Sequence, residues 1–79
     1  MERKPLRRSR VAAEVRAELA RQNKSKASLA QAAGISVDTL RRRLDGVYPF
    51  HVEEIDAICF FLGIPIADFV ARAREDANA

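Results

Sequence analysis

Apolar residues recur along this chain at spacings of three and four with polar residues between them, a pattern that predicts helices throughout and no strand. Val11, Val15 and Leu19, with Ala12, make one inward stripe. Ser9 is positioned to cap that helix, which should run to about Asn23 with Glu14, Arg16, Glu18 and Arg21 facing outward. Ile55, Ile58, Cys59 and Leu62 form a second ridge on a helix from about His51 to Leu62, with Glu53 and Glu54 near its positive end and Gly63 stopping it. Pro65 suits the first position of a last helix whose inward residues should be Ile66, Phe69 and Val70. The expected architecture is all-α with five helices. Residues 1–8 are expected to form a flexible basic arm, 9–75 the helical domain and 76–79 a tail.

The middle of the chain, Ser25 to Gly46, organises the rest. Leu29 and Ala33 repeat four apart, as do Leu40 and Leu44, and each short segment opens on a serine able to accept from first-turn N–H groups, Ser25 and Ser36. Gly34 can take the left-handed conformation that ends the first segment, and only Ile35 and Ser36 separate it from the second. Two helices joined by so short a glycine turn cross steeply, in helix-turn-helix geometry. Asp45, Gly46 and Pro49 then supply turn chemistry that prevents the second helix from continuing.

Composition changes this picture in one respect. The 79 residues carry a net charge of +3. That sum hides twelve Lys/Arg against five Asp/Glu in residues 1–50, and two against six in residues 51–79. A basic half holding the motif and an acidic half away from it imply one face suited to nucleic acid, the rival being ordinary solvated charge. The single cysteine has no partner for a disulfide or a zinc site, and no apolar run approaches the length of a membrane span; a reduced, cytoplasmic setting is expected. No cofactor, metal or small-molecule ligand is expected either. His51 has no nearby nucleophile, and Cys59 falls on an apolar ridge, so neither suggests catalysis.

Leu29-Ala30, Gly34-Ile35-Ser36, Leu40 and Gly46, followed in register by Ile55, Ile58-Cys59, Leu62-Gly63-Ile64, Ile66 and Phe69, resemble the lambda-repressor and Cro-like helix-turn-helix family of bacteria and phages. The resemblance covers roughly residues 11–70. It implies a five-helix domain that binds double-stranded DNA, as a small phage or bacterial repressor of the Cro type acting by operator occupancy and commonly as a homodimer. It further implies base contacts from the first turn of the second motif helix and from the residue two beyond its central apolar position, which are Val37, Asp38 and Arg42 here. Arg42 would present its fork to guanine and Val37 would pack on a thymine methyl; Asp38 would accept from cytosine, or else only favour the helix dipole. Lys26 stands where the family typically has Gln facing DNA, and Tyr48 with the N–H groups around Val47 where it grips phosphate.

Arg41, Arg43 and Lys24 are further candidates for phosphate, with Arg3, Lys4, Arg7 and Arg8 of the arm tracking the backbone or remaining a solvated tail. Two departures from the family pattern stand out. An Arg–acid bridge is exchanged for Leu19 and Leu44, and Arg43 occupies a position usually Trp or Leu, its stem expected to pack on the domain while the guanidinium reaches out. Phe60 and Phe61 fall off the inward ridge, so they are candidates for a protein interface unless the last helix or the arm covers them. They carry the alternative function, an antitoxin-like or protein-interaction module using the surface of the last two helices.

Overall fold

A computed structural model describes residues 6–75, so Arg3 and Lys4 of the expected arm and the expected tail 76–79 lie outside the described residues. The order of elements is α1 (Arg8–Gln22), α2 (Lys26–Ala33), α3 (Val37–Leu44), α4 (Val52–Leu62) and α5 (Ile66–Glu75). Four of the five helices stop in one way. A residue with positive φ (Asn23, Gly34, Gly46 or Gly63) donates its N–H to the carbonyl three back, and the following residue donates to the carbonyl five back. The four αL residues satisfy orphan carbonyls at every reversal of the chain, and three of them are glycine, which adopts that φ without penalty.

The two motif helices start as their serines predict. Ser25 Oγ accepts from the Ser28 N–H and Ser36 Oγ from the Thr39 N–H, both at 3.1 Å. The first helix does not follow that pattern. Its cap is Arg7, whose carbonyl accepts from the N–H groups of Arg10 and Val11 at 3.0 Å, and Ser9 lies inside the helix.

The core is a single cluster drawn from all five helices, with Val15, Leu29, Leu40, Leu44, Ile58 and Phe69 fully enclosed. α2 lies on α4, while α1 lies between α3 and α5. Leu19 and Leu44 are both buried, so the apolar exchange expected there is accommodated within the core. On α5 the inward pair is Phe69 and Ala73, four apart, with Val70 half-buried; Ile66, expected inward, is exposed.

The larger correction concerns α1. Glu14 and Glu18 do not face solvent but are buried. Arg21 reaches back to Glu14 Oε2 at 2.8 Å and to Glu18 Oε1 at 3.0 Å, and Arg72 of α5 approaches the same Glu18 oxygen at 3.4 Å. Gln22 Nε2 donates to Glu18 Oε2 at 2.9 Å and to the Leu62 carbonyl at 2.8 Å. Burying a carboxylate is costly unless it is paired and hydrogen-bonded, and these donors meet that condition. The Gln22 hydrogen bond, with Arg21 and Arg72, outweighs burial and holds the Glu18 carboxyl below the usual range.

Candidate nucleic-acid interface

α3 is the helix with the sharpest division of faces. Leu40 and Leu44 are 0% and 1% exposed and pin it to the core, which leaves Val37, Asp38, Arg41 and Arg42 on its outer side. Arg42 follows Leu40 by two positions, about 200° around the helix, and so projects directly away from the core. It is exposed and makes no hydrogen bond or ion pair among the described residues. Asp38 and Arg41 are also exposed, but they pair with each other at 3.0 Å, one turn apart. The outer face of α3 thus holds one uncommitted guanidinium and one already bridged to a carboxylate.

Arg43 behaves differently from its two neighbours. Its guanidinium does not reach out: Nε donates to Glu54 Oε1 at 3.1 Å and Nη2 to Glu54 Oε2 at 3.2 Å. Glu54 also accepts from the His51 N–H at 2.9 Å, closing the start of α4. Burial alone would raise the Glu54 carboxyl, but Arg43 and the His51 N–H override it and hold it low.

The loop after α3 exposes Val47 and Tyr48, and Arg8 Nη1 donates to the Val47 carbonyl at 2.9 Å. The beginning of α1 is therefore fixed beside Tyr48. Lys26, first residue of α2, is exposed on the rim of a recess lined by Arg16, Leu19, Ala20, Asn23 and Lys24. Lys24 directs its ammonium to Phe61, donating to the Phe61 carbonyl at 3.1 Å and standing 4.4 Å from the Phe61 ring centre. Arg7 is exposed at the cap of α1.

Two residues that position this surface lay outside the sequence expectations for it. Arg16 of α1 donates through Nη1 to the Leu44 carbonyl, tying α1 to the last turn of α3. Its partner is 28 residues away, and no local pattern marks it. Glu54 carried a readable signal, since it stands three positions after the cap residue His51, the capping-box spacing.

Cys59 is enclosed, and burial, with the nearby charge of Asp56, raises its thiol, so it is a core side chain. Among the described residues no helix is long and apolar enough to cross a membrane.

Comparison with known proteins adds a family to this geometry. No curated protein matches the sequence. Two crystal structures of the clp gene regulator ClgR from Corynebacterium glutamicum are similar, each 26% identical over 92% of this chain. One superposes with a TM-score of 0.81 and is covered over 95% of its length; the other gives 0.84 and 78%. The sequence profile of the Cro/C1-type HTH DNA-binding domain matches residues 14–73, from within α1 to near the end of α5. The chain belongs to the Cro/C1-type helix-turn-helix DNA-binding domain family.

Proposed function

We propose that this protein is a transcriptional regulator that binds duplex DNA by sequence, laying α3 in the major groove, and that it acts by occupying an operator as a small repressor of the Cro type. The observation that carries the reading is Arg42, exposed and without a partner among the described residues, on the side of α3 opposite the enclosed Leu40. A planar fork so placed matches the O6 and N7 edge of one guanine. Val37 supplies an apolar contact for a thymine methyl, and Asp38 either accepts from a cytosine amino group or stays with Arg41. Arg7, Arg8, Lys26 and Tyr48, with Arg41 on α3 itself, serve as phosphate contacts. Arg43 and Lys24 fit that role less well, because Glu54 and the carbonyl of Phe61 already hold their charged ends.

The similarity to ClgR, a regulator of clp genes, agrees with a role in transcription. We further propose that two copies occupy half-sites one helical turn apart and that the protein works in the cytoplasm. Nothing in the proposed mechanism calls for catalysis or a cofactor.

Selection of bound duplexes from a randomised pool tests the reading. The parent should enrich a motif with twofold symmetry. Arg42→Ala should lose preference at one base pair of each half-site, a discrimination of ~1–3 kcal/mol, while non-specific binding barely changes. A selected motif that is unchanged in the variant would remove Arg42 from the base contacts.

A further inference from the structure

The outward face of α4 is used neither by the core nor by the surface around α3. Phe60 on this face is 90% exposed, more than the other large apolar side chains that the fold leaves in solvent. It stands at a recess lined by Ala32 of α2 and by Asp56, Ala57 and Phe61 of α4, where these two helices pack together. Phe61, half-buried, also lines the recess, and the Lys24 ammonium stands 4.4 Å from its ring centre.

Glu53 and Asp56 precede Phe60 by seven and four positions, which places them on its side of the helix, two turns and one turn away. Both are exposed, and neither has an ion-pair partner among the described residues. α4 itself contributes no basic residue to offset them. Acid, acid and aromatic therefore line up on three successive turns in a chain whose net charge is +3.

We propose that this face docks a basic amphipathic helix of a partner protein. An apolar side chain of the partner packs against Phe60 in the recess, and its Lys or Arg residues, one and two turns along, pair with Asp56 and Glu53. The sign of the charge argues against DNA as the occupant, since two unpaired carboxylates repel phosphate. It also argues against a second copy of this chain, because a face-to-face pair would gather four carboxylates at one interface with no cation from α4 between them.

The test is an amide-shift titration of the whole chain with two designed helical peptides, each with a leucine stripe, one flanked by Lys and the other by Glu. The Lys peptide should bind at least ~10-fold more tightly, since opposed charges select against the wrong partner. Its shifts should centre on Ala32, Asp56, Ala57, Phe60 and Phe61. Glu53→Lys combined with Asp56→Lys should reverse the preference, and Phe60→Ser should weaken both peptides, with melting temperature and DNA affinity retained by Phe60→Ser. Equal affinity for the two peptides, or shifts centred on α3, would overturn the proposal. So would sedimentation showing that the chain self-associates and that Phe60→Ser disperses it, which gives the face to a second copy. DNA affinity is read separately, so failure here leaves the reading of α3 untouched.

Discussion

Arg43 and Glu54 form a two-pronged ion pair, 3.1 and 3.2 Å long, that joins the last turn of α3 to the first turn of α4. Both side chains are largely enclosed, at 13% and 9% exposure. Arg43 follows Arg42 by one residue, yet the two guanidiniums serve different ends: one is spent inside the molecule and the other is left for a ligand. Removing one member of a buried pair strands the other, so Arg43→Ala should destabilise the fold by roughly 2–4 kcal/mol, somewhat less than for a fully buried pair. Replacing both together, Arg43→Met with Glu54→Leu, should cost far less. Urea unfolding of the three proteins checks this; an Arg43→Ala midpoint equal to the parent's would show that the pair contributes nothing.

The same carboxylate predicts an acid response. Glu54 and Glu18 are both held below the ordinary value of 4.5. A depressed folded-state value means that the folded chain stabilises the ionised form. That contribution is complete above pH 4.5 and disappears as pH falls through the lower folded-state values. Stability should therefore decline steadily below pH 4.5, and Glu18→Gln with Glu54→Gln should be less stable at neutral pH but flatter in acid. Thermal melts at a series of pH values measure the slope, and parallel curves would contradict the assignment.

At the motif turn the conformation, not the space, sets the tolerance. A Cβ added to Gly34 would meet no other atom within 4 Å, but its φ is +72°. Gly34→Ala should cost about 1–2 kcal/mol, the penalty for a left-handed L-residue, with no change in the packing around α2 and α3. Asn23, at φ 54°, offers the converse, and Asn23→Gly should be neutral or mildly stabilising. A large loss in Asn23→Gly would mean that the asparagine side chain does more than tolerate its φ.

Salt dependence separates the phosphate contacts from the rest. Each lost phosphate contact should reduce the slope of log affinity against log salt by roughly 1. Arg7→Ala and Lys26→Ala should each do this, equally on specific and random duplex. Lys24→Ala should leave the slope nearly unchanged, since its ammonium is directed at Phe61. Fluorescence anisotropy across salt concentrations gives these slopes; a reduced slope for Lys24→Ala would show that it leaves Phe61 to meet DNA.

What the sequence made legible was whatever depends on neighbours within one or two turns. The Ser25 and Ser36 caps, the stops at Gly34 and Gly63, and the inward setting of Leu40 and Leu44 all follow from spacing alone. The uncommitted position of Arg42 follows in turn from Leu40. Burial of Glu14, Glu18 and Glu54 did not follow, since a charge normally marks the solvent side, local partners such as Arg21 and Gln22 suit an exposed helix face equally well, and part of the compensation comes from far along the chain. Arg43 lies 11 residues from Glu54, and Arg72 lies 54 from Glu18. Ile66 was misplaced for a related reason: on a short helix the choice between two adjacent apolar stripes is made by the neighbour it meets, here α1.

The segment from Ser25 to Gly46 looks portable, with a serine to start each helix and a glycine to turn between them. Its last carbonyls, however, are answered from α1: Arg16 donates to Leu44, and Arg8 to Val47 just beyond. Transplanted into another scaffold, the same residues would keep their starts and their turn but lose the donors that hold the far end of α3. A host would have to present two cations of its own at those heights, or accept a fraying final turn in which Arg42 no longer points in a fixed direction. In this protein the aim of α3 is set from outside the motif, by a helix that ends before the motif begins.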